Sequence, residues 1–254
     1  EQVLGGAMRG RPRESVFVID KIDHLDCPVA PQVEGSLGRL GLSHADAFVF
    51  HGVSDVERWK AVVAPGGLMD ELGACARAGR ARFRGVSSHH PDVLRLAIEG
   101  GQCDIVMFAI GPFVHERYWR EILPLARERG VATVCFKTFG AGKLLADTEG
   151  YSRPLQRRPR GKRSSGGVDA PADPGAPLLP RLSVEECLHY TLTLDPEVAL
   201  LGLSFPNEQD AAFAAARSFK PLSPAAMEGL RRRAVDAIRG KGPCWWNPDP
   251  GAVA

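Results

Sequence analysis

ADAFVFH, residues 45–51, contains the run Phe48, Val49, Phe50 and stops at a histidine. A strand with one wet face would alternate apolar and polar side chains. Three consecutive large apolar residues put hydrophobic groups on both faces, which is the pattern of a strand covered on both sides within a parallel sheet. Five further runs share this character, at Ser15–Lys21, Arg82–Ser87, Cys103–Ala109, Val131–Lys137 and Val198–Ser204.

The segments between these runs have helical period. Val33, Leu37 and Leu40 fall at i, i+4, i+7, and Leu68, Leu72 and Cys75 make a similar stripe. Punctuation agrees with that division. Pro91 suits a first helical position after His90, and Gly130 suits a left-handed cap. Ser183 with Glu186 forms a capping box, and Ser223–Pro224 opens a last helix that Gly240 closes. Repetition of strand and helix predicts a barrel or a doubly wound sheet, with no internal sequence repeat beyond that unit. Residues 150–182 break the rhythm. They are rich in Pro, Gly and Arg and predict a long mobile loop. Its basic run Arg157, Arg158, Arg160, Lys162 and Arg163 has two readings, a contact for a cofactor phosphate or a solvated segment, and the second is preferred.

Composition narrows the function classes. The 254 residues are 44% hydrophobic and 24% charged with a net charge of +2, so neither nucleic acid nor a membrane surface is implied as partner. No apolar run approaches the roughly 20 residues of a membrane span. Six cysteines lie far apart without a CxxC pair, which points to free thiols in a reducing cytoplasm and to no metal site. The first methionine is Met8, within a helix-like stretch, and a longer natural chain is expected.

Five of the runs end in a polar residue: Lys21, His51, Ser87, Lys137 and Ser204. Each alone has a plain explanation, since a lysine ending a strand is usually solvated and a lone histidine usually satisfies a neighbour. Together they would converge on the C-terminal mouth of a parallel barrel, where active sites are built.

The order of motifs is more specific than any one of them. SVFVIDK (15–21), SLGRLGL (36–42) with DAFVFH (46–51), RFRGVSSH (82–89) and CFKTFGAGKL (135–144) resemble successive motifs of the aldo-keto reductases, and EQVLGGAMRGR (1–11) resembles the helix after that family's Tyr-Gly-x-Ser-Glu motif. The resemblance implies a (β/α)8 TIM-type barrel, one domain over 1–254, with the first two strands and first helix lying ahead of Glu1. It implies reduction of a small-molecule carbonyl by a nicotinamide cofactor, NADP(H), with NAD(H) left open by the residues. Lys21 and His51 match the family's catalytic lysine and histidine. The family's aspartate and tyrosine fall in the segment ahead of Glu1, so this stretch alone is expected to be inactive. Alternation turns Asp20 away from Lys21's face, and Asp23 and Tyr118 are loop residues that can approach the mouth.

For the cofactor, Ser87 matches the serine that binds the nicotinamide carboxamide, while Ser88 replaces the usual asparagine and Met107 a frequent glutamine. Lys137, Gly140, Gly142 and Lys143 match the strand end and loop over the nicotinamide. Ser204 and the following FPNEQDAAF (205–213) match the adenosine-phosphate end. Trp245 and Trp246 either pack or line the substrate pocket, with packing preferred. Two rival readings remain: a nicotinamide-binding regulatory or interaction protein, and an inactive fragment. Substrate identity and oligomeric state are not fixed by these residues.

Overall fold

The computed structural model describes residues 1–145, 180–202, 206–239, 241, 244, 246 and 247. The chain separates into two compact units, Glu1–Phe108 with Glu121–Thr133, and Ala109–Arg120 with Val134–Ala254. The elements run α1 (Gln2–Met8), β1 (Ile19–Ile22), α2 (Val29–Leu40), β2 (Ala45–Phe50), α3 (Val56–Val63), α4 (Leu68–Arg77), β3 (Ala81–Ser87), α5 (Pro91–Glu99), β4 (Ile105–Ala109), α6 (Leu123–Arg129), β5 (Ala132–Phe136), α7 (Val184–Thr193), β6 (Val198–Ala199), α8 (Pro206–Arg217) and α9 (Pro224–Ile238). The six strands follow chain order, β1-β2-β3-β4-β5-β6, with β1 and β6 at the two ends. The recorded registers are parallel.

All six expected strands are present, five of them shortened and β3 longer by one residue at Ala81. Every residue of β2 is buried, as the consecutive aromatics require. The ladder of β1 begins at Ile19 rather than Ser15, because Arg13–Ser15 forms a 3₁₀ turn. Val16 and Phe17 are 37% and 53% exposed, and Phe17 stacks on Phe83 at 6.0 Å instead of entering the core. β6 keeps only Val198 and Ala199 of the expected Val198–Ser204 run, whose last two residues lie outside the described ones.

In the first unit, α2 buries Val29, Val33, Leu37 and Leu40, the face its spacing sets. α4 buries Met69, Leu72 and Cys75, so Met69 rather than Leu68 completes the stripe. Full burial of a side chain such as Leu72 contributes about 2–3 kcal/mol of transfer free energy. Gly41 and Gly130 close α2 and α6 at φ 69° and 65°. Pro91 opens α5, where the His90 ring accepts from the Asp92 amide at 3.2 Å. Gly85 is required by β3–β4 pairing, since a Cβ there would stand 1.8 Å from the Ile105 carbonyl oxygen.

In the second unit, α7 begins with the expected capping box. Ser183 accepts from the Glu186 amide at 3.0 Å, and Glu186 accepts from the Ser183 amide at 2.8 Å. Its core joins Phe139, Leu144, Leu182, Cys187 and Tyr190 to Met227, Leu230, Ala234 and Ile238 of α9. Helix α9 starts at the expected Ser223–Pro224 pair, while Gly240 is outside the described residues. The same holds for 146–179, which contain most of the 150–182 loop and all of its basic run. The buried cysteines behave as hydrophobes, and burial pushes the Cys103 thiol up to about 12.

Candidate active site

The registers assign faces in the first unit. Lys21 pairs with Val49, Val49 with Gly85, and Gly85 with Ile105. Two positions further along each strand, Ser87 pairs with Met107, and the same step aligns Asp23 with His51 and His51 with Ser87. In parallel strands, registered partners share a face and alternate residues return to it. Lys21, Asp23, His51, Ser87 and Met107 therefore stand on one face at the C-terminal ends of β1 to β4.

The opposite face looks toward the helices. There Arg84 reaches the Met69 carbonyl on α4 at 3.3 Å. Asp20 lies on this side too. Its Oδ1 accepts from the Lys21 amide at 2.8 Å, and burial and then the Glu1 charge push its carboxyl above the usual carboxylate range. Glu1 in turn accepts from Ser36 at 2.8 Å and from Arg39, whose guanidinium holds it down to about 2. Alternation thus keeps Asp20 off the face of Lys21.

His51 is fixed by its backbone. Its amide donates to the Ile22 carbonyl at 2.9 Å, and two residues on, the Val53 amide donates to the Ser87 carbonyl at 3.0 Å. Gly52 at φ 65° makes the bend between them. The imidazole Nδ1 meets the Asp23 carboxylate, and both side chains are partly open to solvent, His51 at 41% and Asp23 at 62%. Asp23 is followed by a loop that Gln32 of α2 clamps, accepting from the His24 amide at 3.2 Å and donating to the His24 carbonyl at 2.8 Å. Lys21 is half-buried.

Ser87 is 2% exposed and its side chain makes no hydrogen bond among the described residues. Ser88 is fully buried, and its hydroxyl accepts from the His90 amide at 3.0 Å, so it braces the turn into α5. Met107 is 2% exposed within β4.

In the second unit, Lys137 follows β5 at φ 72°, a left-handed conformation that a lysine adopts only when its surroundings impose it. Its carbonyl accepts from the Gly140 amide at 2.8 Å, and the Phe139 carbonyl accepts from Gly142 at 2.8 Å. Gly140, Ala141 and Gly142 continue with positive φ, so Lys137 to Lys143 is a tight double turn. Lys137 Nζ lies 5.7 Å from the Trp246 ring, which is fully buried and meets Phe113 edge-on at 6.1 Å. Trp246 therefore packs, while Trp245 and Ser204 lie outside the described residues. Lys143 is 1% exposed, and its carbonyl accepts from Lys241 at 2.9 Å. Thr138 was not singled out by its sequence pattern, yet its Oγ1 is buried without a hydrogen-bond partner among the described residues.

Tyr118 is 1% exposed, and burial holds its phenol well above the ordinary tyrosine range. Among the described residues no His, Cys, Asp and Glu cluster has the form of a metal site.

The profile of the Aldo/keto reductase family matches residues 1–199. Among solved structures, the chain is similar to the holo form of an aldo-keto reductase from Bacillus halodurans. The TM-score is 0.64 and the identity 21%, over 94% of this chain and 79% of that one. It is also similar to an aldo-keto reductase from Klebsiella pneumoniae in complex with NADPH, with TM-score 0.62 and identity 15% over 94% and 76%. At these identities the structural likeness speaks for the fold, and the parallel strand–helix order is that of an incomplete (β/α)8 barrel. With the profile spanning most of its length, the chain belongs to the aldo/keto reductase family.

Proposed function

We propose that this protein reduces small aldehydes or ketones to alcohols with a nicotinamide cofactor, NADPH in the first instance. The reading rests on one observation: Lys21, His51 and Ser87 share a single face at the C-terminal strand ends. That is where a parallel barrel builds its site. The bound cofactor would supply the hydride.

The residues present suit such a group. The Ser87 hydroxyl is uncommitted among the described residues. A hydroxyl of this kind can either donate to or accept from a carboxamide. Ser88 supports the chain beneath Ser87 by accepting from the His90 amide.

The chemistry required of the chain is electrostatic. Reduction places negative charge on the carbonyl oxygen, and preorganised cationic or N–H groups stabilise that charge. Lys21 provides a fixed positive charge on the shared face, and His51 offers a ring nitrogen beyond it. Half-burial of Lys21 reduces the screening that would weaken its field in open water.

The test is to titrate the full-length natural protein with NADPH and NADH by tryptophan fluorescence, and to follow cofactor oxidation with a panel of aldehydes and ketones. Saturable oxidation that depends on the carbonyl supports the proposal. Tight binding without turnover across the panel contradicts it and favours a regulatory, nicotinamide-binding role.

A further inference from the structure

We propose that Asp23 is a positioning residue for His51, fixing which ring nitrogen carries the proton and so which form of the ring meets a carbonyl. The proposal rests on the carbonyl-reductase reading for its functional consequence, but its structural content stands apart from it.

The geometry comes from the strand register. Ile22 pairs with Phe50, so the next residues, Asp23 and His51, face each other just beyond the ladder. The Asp23 carboxylate meets Nδ1 of His51 rather than Nε2. Both partners are anchored from behind. His51 is tied through its amide to the Ile22 carbonyl at 2.9 Å. The loop after Asp23 is held by Gln32, which also donates to the Pro28 carbonyl at 3.1 Å.

A carboxylate is an acceptor only, so the nitrogen against it must carry the hydrogen. This excludes the neutral tautomer with its proton on Nε2, in which the Nδ1 lone pair would face the carboxylate. Two forms of His51 remain. In the neutral ring, Nδ1–H binds Asp23 and Nε2 is an acceptor. In the imidazolium, Nδ1–H still binds Asp23 and Nε2–H is a donor. Only the second can hydrogen-bond a carbonyl oxygen, and it does so with Asp23 as its counter-ion. Both side chains are partly exposed, so the contact adds little to stability, and its effect is on orientation and tautomer.

The test uses ¹⁵N-histidine labelling of the whole chain, with His51 signals identified by their loss in His51→Gln. The expected spectrum shows neutral His51 protonated on Nδ1. Asp23→Ala should shift it toward the Nε2–H form, whereas Asp23→Asn, whose amide oxygen still accepts, should retain Nδ1–H. In turnover of the full-length natural protein, Asp23→Ala should lower kcat by a factor on the order of 10 or more, since the ring loses its fixed orientation and the imidazolium its counter-ion, with cofactor Kd unchanged. A wild-type ring protonated on Nε2, or the same tautomer in wild type and Asp23→Ala, overturns the proposal. Equal kcat in those two proteins overturns its catalytic consequence while the reductase reading stands. If no carbonyl is reduced by the wild type, that reading fails and the tautomer spectra alone decide the role of Asp23.

Discussion

Lys21 and His51 stand on the same face of neighbouring strands, with His51 two register steps nearer the C-terminal edge. The spacing follows from parallel pairing of Lys21 with Val49, and it places a fixed charge below a ring nitrogen on one wall. Ser87 extends that wall by one strand, since Phe50 pairs with Val86.

Ser87→Ala should weaken cofactor binding without disturbing the fold. Losing one hydrogen bond of about 1 kcal/mol raises Kd roughly fivefold. Fluorescence titration and the thermal midpoint together check this. An unchanged Kd would take Ser87 out of the cofactor site.

Gly85→Ala should be severely destabilising. The new Cβ would stand 1.8 Å from the Ile105 oxygen, a backbone atom that cannot swing aside. β3 and β4 would have to part, at a cost of about 3 kcal/mol or more. Urea unfolding should show a lower midpoint, and an unaltered midpoint would mean the strands are spaced differently.

Asp46 carries a pH-dependent share of stability. It is buried, yet accepts from the Val18 amide at 2.7 Å, Arg13 at 2.8 Å and Arg82 at 3.0 Å. Burial alone would raise its carboxyl, but these donors outweigh burial and hold it below the usual carboxylate range. A depressed folded value means the stabilisation is complete above the unfolded value and lost as pH falls through the folded one. Asp46→Asn should cost about 1–3 kcal/mol near neutrality. The gap to wild type should close below about pH 4, the range in which an unperturbed aspartate takes up its proton. A gap that persists in acid would assign the loss to something other than the ionised carboxylate.

Much of the fold is legible along the chain because burial and capping are local signals. Phe48 to Phe50 mark a strand covered on both faces, and Ser183 with Glu186 marks a helix start, whatever lies elsewhere. The start of β1 is not legible in that way. Val16 and Phe17 have strand-like character, but hydrogen bonding with β2 decides where the ladder begins. The site divides similarly. Lys21, His51 and Ser87 can be picked out as polar strand ends, whereas the Asp23–His51 contact depends on a register that exists only once β1 and β2 pair. Tyr118 reads as a loop residue near the mouth, and its burial arises from packing that no local pattern carries. The open Oγ1 of Thr138 was equally invisible, since an unmet hydrogen bond is a property of the folded surroundings.

The reductase reading stands or falls on Lys21→Met in the full-length natural protein, assayed for carbonyl-dependent NADPH oxidation alongside NADPH affinity. Methionine keeps the length of the side chain and removes the charge. The account predicts a kcat lower by a factor on the order of 10² or more, since the charge acts on the transition state, with cofactor Kd little altered. Turnover near that of the wild type would contradict it and place the catalytic face elsewhere.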